Sequence, residues 1–192
     1  MIVVFGFDPS TERTAAWARL TCGRVSGERE YEDKGENTLD EIRAMLKVAV
    51  AAANDGAVDG VVVGIERPPP QLNVHVMPGR IKVKGIVEAH KEALWAARAK
   101  AGSLIDASYV AGALAWMARE LGARVVELTP DAWRAALNVR RTTKGTDQGA
   151  MIKDAIVAMI SGWPKVSNEH VRDGAGVALA AYWQVRAERK AV

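Results

Sequence analysis

The 192-residue chain has a single cysteine, Cys22, which excludes an intrachain disulfide and a thiolate metal cluster. No apolar run is long enough to cross a bilayer, so no membrane partner is expected. The N-terminus, MIVVFGFD, lacks the basic stretch and the cleavage site of a signal peptide. Internal repeats and low-complexity tracts are also missing. These absences together lead to the expectation of a soluble protein of the cytoplasm. Charge of one sign is not in large excess: 26 Lys and Arg against 23 Asp and Glu leave +3, with a pI near 9.1. That balance permits an acidic partner without requiring one. What is present is an ordinary core-forming composition, 49% hydrophobic and 26% charged, at a length that suits one domain over residues 1–192.

Along the chain, Ile2 to Asp8 is a short apolar run that predicts a buried strand, ended by Pro9, which has no N–H for a ladder. Ala15 to Leu20 and Arg24 to Tyr31 are two further predicted strands, with Cys22-Gly23 as the turn between them, giving an antiparallel meander. Thr38 or Asp40 can cap a helix whose apolar positions run from Leu39 to Val50, and Asn54, Asp55 and Gly56 end it. Gly60 to Ile65 is a continuous apolar strand of the kind covered on both faces, and it ends at Glu66. A helix over Ser103 to Leu121 closes at Gly122. A fifth strand follows at Arg124 to Leu128, and Pro130 with Asp131 opens a short helix or turn. A helix over Met151 to Ile160 and a last one starting near Ser167 complete the order β-β-β-α-β-α-β-α-α.

Two strands in that order end in carboxylates, Asp8 and Glu66. A strand, a crossover helix and a second strand make parallel neighbours with a right-handed connection. If the first strand carries the meander on its other side, the winding direction reverses between the strands that bear Asp8 and Glu66, and ligands sit at such switch points. In SNEHVRDGAGVALAAYW, His170 and Asp173 are spaced i, i+3 on one helix face, and Gly174, Ala175 and Gly176 lack bulk. Those first turns can lie close to the sheet and bring Asp173 to the same crevice. Carboxylates gathered there repel one another unless a cation is present, and a hard divalent ion resolves the conflict. Each residue also has a plainer use. Asp8 can be a turn-former before Pro9, Glu66 a solvated strand end, and His170 with Asp173 can complement a helix dipole.

FGFDPS, GIERP and HVRDGAGVALA resemble, in order and context, the three catalytic blocks of RuvC-type Holliday junction resolvases within the ribonuclease H-like superfamily. Ser10 stands where that family commonly has Gly, and Gly174 where it has Ala; such drift suits a bacteriophage member. The resemblance implies an α/β, ribonuclease H-like fold, with a five-stranded mixed sheet of three antiparallel then two parallel strands flanked by helices. It implies a homodimeric endonuclease that nicks opposed strands of four-way DNA junctions, in a bacterial cytoplasm or that of a phage's host. It further implies two Mg²⁺ ions per site, with Mn²⁺ also suited, Asp8 shared between them, Glu66 and Asp173 each on one, and His170 as a ligand or proton carrier. A non-catalytic branched-DNA-binding module on the same fold is the alternative. An actin-like nucleotide binder is disfavoured, because no Gly-rich phosphate loop follows Asp8.

Beyond Glu66, residues 67–100 form a basic insertion that includes Arg67, Arg80, Lys82 and Lys84, and Arg140, Arg141 and Lys144 form a second basic loop. Both are expected to meet DNA phosphates, although a basic run also serves as a solvated helix face. Leu72, Val74, Val76 and Met77 can wedge between bases or pack on a second subunit. Trp133 is expected in the core rather than as a base-stacking platform. The small residues Ala107, Ala111, Gly112, Ala115 and Ala118 either pack on the sheet or form a two-fold interface.

Overall fold

The computed structural model describes residues 1–9, 14–23, 26–67, 105–139, 147–164 and 168–190. Strands β1 (Ile2–Pro9), β2 (Thr14–Cys22) and β3 (Arg29–Thr38) lead into helix α1 (Leu39–Asn54) and strand β4 (Val61–Glu66). Helix α2, described over 105–120, precedes strand β5 (Arg124–Leu128). Helices α3 (Pro130–Ala136), α4 (Gln148–Met159) and α5 (Glu169–Lys190) follow. The sheet order is β3-β2-β1-β4-β5. β1 and β2, and β2 and β3, pair antiparallel, whereas β1 and β4, and β4 and β5, pair parallel. This is the mixed five-stranded sheet expected from the resemblance, with the reversal of winding between β1 and β4.

The third strand begins five residues later than the expected Arg24 and runs to Thr38. REYEDKGENT has little apolar content, because β3 is an edge strand with much of its surface in water. Charges on such an edge discourage pairing with other chains, and they hide the strand from a search for apolar runs. β2 extends through Cys22, and its connection to β3 is tied by Gly23 N donating to Glu28 O at 2.8 Å. Pro9 remains opposite Ala15 as the last residue of β1. Thr38 does cap α1, in a capping box in which Glu41 accepts from the Thr38 backbone N–H at 2.8 Å.

Strand alternation divides the core in two. Val3, Phe5, Phe7, Val61, Val63 and Ile65 pack with α1 and α2 on one face. Ile2, Val4, Val62 and Val126 pack with α3, α4 and α5 on the other. Within α2, Ala111, Ala115 and Ala118 are buried in the first of these clusters, so this part of the small-residue face packs against the fold itself. Among the described residues no helix is long and apolar enough to cross a membrane.

Candidate active site

Asp8 and Glu66 reach the same end of the sheet by register. Gly6 is the parallel partner of Gly64, and Phe7 of Ile65, so the next residues along β1 and β4 are the two carboxylates. Alternation turns both toward α5, because the even-numbered Val4 and Val62 lie in that helix's cluster. The same alternation points Gly6 and Gly64 at α5 two residues earlier. A Cβ on Gly6 would overlap the carbonyl oxygen of Gly174, and one on Gly64 would lie 2.9 Å from the Ala181 Cβ. From the other side, a Cβ on Gly174 would sit 3.0 Å from the Gly6 oxygen. The pairs Gly6/Asp8 and Gly64/Glu66 thus repeat one design: a bare strand position admits the helix, and a carboxylate beyond it meets the helix's first turns.

Helix α5 starts at Glu169, two residues after the expected Ser167, with Asn168 Oδ1 accepting from Val171 N at 2.7 Å. His170 Nδ1 lies 2.8 Å from Asp8 Oδ2. Asp173, one turn on, is buried, and its Oδ1 has no hydrogen-bond partner. Burial raises the pKa of all three carboxyls. Glu66 is pushed to about 7, by desolvation first and then by the Asp8 charge. Asp173 is pushed to about 6 by the same two causes in the same order. Asp8 is also raised by desolvation, against the hydrogen bond from His170. The His170 pKa rises, chiefly through its bond to Asp8. Mutual repulsion is therefore felt across three elements distant in sequence. The four residues singled out from the sequence converge.

Three further side chains join them that no sequence motif marks. Trp133, fully buried on α3 as expected, donates its indole N–H to Glu66 Oε2 at 2.6 Å. A Cβ on Gly176 would lie 2.6 Å from the Trp133 ring, so the glycine makes room for it. Arg134 Nη2 stands 3.7 Å from Asp173 Oδ2, and Arg172 Nε 4.0 Å from Asp173 Oδ1. Two successive residues of a short helix, invisible as a pattern, thereby address two carboxylates. Of the basic residues expected to meet DNA, Arg67 is described. It is exposed beside Glu66 and paired with Glu127. Arg80, Lys82, Lys84, Arg140, Arg141 and Lys144 lie outside the described residues, as do Leu72, Val74, Val76 and Met77.

No family model matches the chain, and no curated protein matches its sequence. Solved structures do match. RuvC of Thermus thermophilus in complex with a Holliday junction substrate aligns over 98% of this chain and 97% of its own, with a TM-score of 0.54 and 12% identity. Another RuvC structure from Thermus thermophilus aligns over 97% and 96%, with a TM-score of 0.51 and 15% identity. The fold is that of RuvC. The similarity spans nearly the full length of both chains, so the RuvC fold accounts for the sheet, the crossover helices and the placement of α5.

On this RuvC fold, the donor set fits a divalent cation. It consists of three carboxylates and an imidazole, with one buried oxygen, Asp173 Oδ1, left without a hydrogen bond. The fit is one of chemistry and not of a finished cage. Among the described residues no three His, Cys, Asp or Glu side chains are already arranged around one ion. Asp8 pairs with His170, so these side chains must turn to ligate.

Proposed function

We propose that the chain is a metal-dependent, structure-selective DNA endonuclease that resolves four-way junctions. The observation that carries this is the convergence of Asp8, Glu66 and Asp173 in one partly desolvated crevice, where the Asp8 charge opposes ionisation of both Glu66 and Asp173. A stability-driven design would not gather buried like charges; a site for cations has reason to. The solved RuvC complex with a Holliday junction substrate supports the choice of substrate class.

Asp8, Glu66 and Asp173 would hold the ions, with His170 at the rim. Mg²⁺ or Mn²⁺ bound there supplies activation of water and neutralisation of charge on the phosphate. The chain's own part is positional. The glycine-lined contact between α5 and the sheet brings the first turns of α5, which carry His170 and Asp173, to the Asp8 end of β1. Trp133 orients the Glu66 carboxylate. His170, exposed and with its pKa raised by Asp8, can carry a proton at the solvent side of the crevice. Arg67, beside Glu66, and the basic segments at 67–100 and 140–144 would neutralise phosphates.

A four-way junction presents two equivalent strands, which a two-fold dimer matches. The dimer face we assign is the outer stripe of α2. Ile105, Tyr109 and Trp116 are all exposed, and the also exposed Gly112 lies between them on the same helix face. The deciding experiment is cleavage of end-labelled junction, fork, flap and duplex DNA with Mg²⁺ or Mn²⁺. Paired nicks in the junction that Asp8→Asn abolishes, while junction binding persists, support the assignment. An Asp8→Asn protein that cuts like wild type overturns it. A wild-type protein that binds junctions and cuts nothing with either ion is the non-catalytic module instead.

A further inference from the structure

Arg134 is placed with unusual economy. Thr129 caps α3 through its side chain, which accepts from Ala132 N at 3.3 Å, and Pro130 occupies the first turn. The short helix therefore starts directly off β5 and sets Trp133 and Arg134 at the carboxylate end of the sheet. The Arg134 guanidinium lies over the Trp133 ring, 5.0 Å from its centroid. Its Nη2 is 3.7 Å from Asp173 Oδ2, too far for a hydrogen bond but close for a charge. Its Nε is buried and has no hydrogen-bond partner. Among the described residues, stacking and Coulomb attraction hold this side chain near the cluster, and no short hydrogen bond to a carboxylate locks it there. Its charge opposes burial at Asp8, Glu66 and Asp173 alike.

We propose that Arg134 is the built-in counter-ion of the carboxylate cluster, a cation supplied by the chain that a divalent ion must repel or displace in order to bind. The proposal rests on the metal-site assignment above. Its consequence runs opposite to that of an ordinary site residue, because removing Arg134 should improve metal binding. A guanidinium beside the cluster lowers the local negative potential and so weakens the attraction for a doubly charged ion. Without metal, the same guanidinium relieves repulsion among the carboxylates and keeps the empty crevice folded. Arg134 thus makes the metal-free protein tolerable and sets how much cation the site requires.

The test uses the full chain at pH 8, above the values of about 6 and about 7 to which burial pushes Asp173 and Glu66. Mn²⁺ affinity is measured by electron paramagnetic resonance of the free ion for wild type, Arg134→Gln, Arg134→Lys and Asp8→Asn. Arg134→Gln is expected to bind Mn²⁺ about tenfold more tightly, roughly 1.4 kcal/mol, with Arg134→Lys close to wild type and Asp8→Asn weak. Thermal melts in chelator should show Arg134→Gln less stable than wild type, with a larger recovery on adding Mn²⁺. An Arg134→Gln protein that folds only when Mn²⁺ is present also supports the proposal, and one that Mn²⁺ cannot rescue overturns it. Unchanged or weaker Mn²⁺ binding by Arg134→Gln overturns the counter-ion alone and leaves the metal site standing. A wild type with no Asp8-dependent Mn²⁺ binding overturns both.

Discussion

Along β1, Val3, Phe5 and Phe7 point to α1 and α2, while Gly6 and Asp8, interleaved with them, point to α5. The first set fills space with branched and aromatic side chains, Phe5 and Phe7 with ring centroids 6.1 Å apart. The second set empties space, so that a helix can come close and meet a carboxylate. β4 repeats the contrast with Val63 and Ile65 against Gly64 and Glu66. At this end of the sheet one face is organised for burial of apolar surface and the other for a short distance between charged groups, while farther back Ile2, Val4 and Val62 make the α5 face apolar as well. Substitutions on the two faces should therefore differ in sign as well as in size.

The largest expected effect lies on the α5 face. Asp173→Asn should lower junction cleavage by roughly a thousandfold, since metal-ion charge stabilisation is worth several kcal/mol. Its metal-free melting temperature at pH 8 should rise, because a carboxyl whose pKa burial pushes to about 6 is held ionised at a cost. A less stable Asp173→Asn protein would break the contrast. On the opposite face, Leu114→Ala should cost about 2–5 kcal/mol in denaturant unfolding, because Leu114 is fully buried between helix and sheet. Its cleavage rate, measured where it remains folded, should stay within a fewfold of wild type. Loss of cleavage without loss of stability would show that the two faces are not separate.

The third expectation concerns pH. The Glu66 carboxyl holds its proton more tightly folded than unfolded, so its contribution to stability is full below the ordinary 4.5 and fades as pH rises through about 7. Over that window the metal-free protein should lose roughly 3 kcal/mol from this group, at about 1.4 kcal/mol per pKa unit. Mg²⁺ or Mn²⁺ at pH 8 should restore it, as seen in melts with and without chelator. A metal-free stability that rises from pH 5 to 8 would contradict the charge balance described here. The smallest effect is expected from Trp133→Phe, which keeps the ring in place and deletes the 2.6 Å bond to Glu66. It should raise the metal concentration for half-maximal cleavage about tenfold, the worth of one hydrogen bond to a charged group. It should also move the acid limb of the rate profile to higher pH while leaving the rate at saturating metal little changed. A drop at saturating metal alone would assign Trp133 to packing instead.

The buried strands β1 and β4 were legible because they are apolar runs closed by a carboxylate, and β5 because its short Val-Val core is bounded by Gly122 and by Thr-Pro. β3 was legible as a third strand but not in its bounds, because its charged edge-strand sequence from Glu32 to Thr38 resembles a loop. Asp8, Glu66, His170 and Asp173 could be named because residue type and element order imply a shared crevice. Trp133, Arg134 and Arg172 could not, since their partners lie far away in sequence and nothing local distinguishes a tryptophan that bonds a carboxylate from one that only fills a core. The small residues of α2 were legible as a face, yet whether that face meets the sheet or a second chain depended on what stood opposite. A G-x-D in β1 and a G-x-E in β4, at equal register, were a further signal available in the sequence.

The sequence by itself determined which residues alternate, where strands stop and which helix begins with bare positions, because periodicity and steric bulk are local properties of the chain. Only the tertiary structure decided that three carboxylates share one desolvated space with two arginines and an indole. Coulomb energy and desolvation depend on distances through space, and those exist only once the sheet register and the approach of α5 have been settled together.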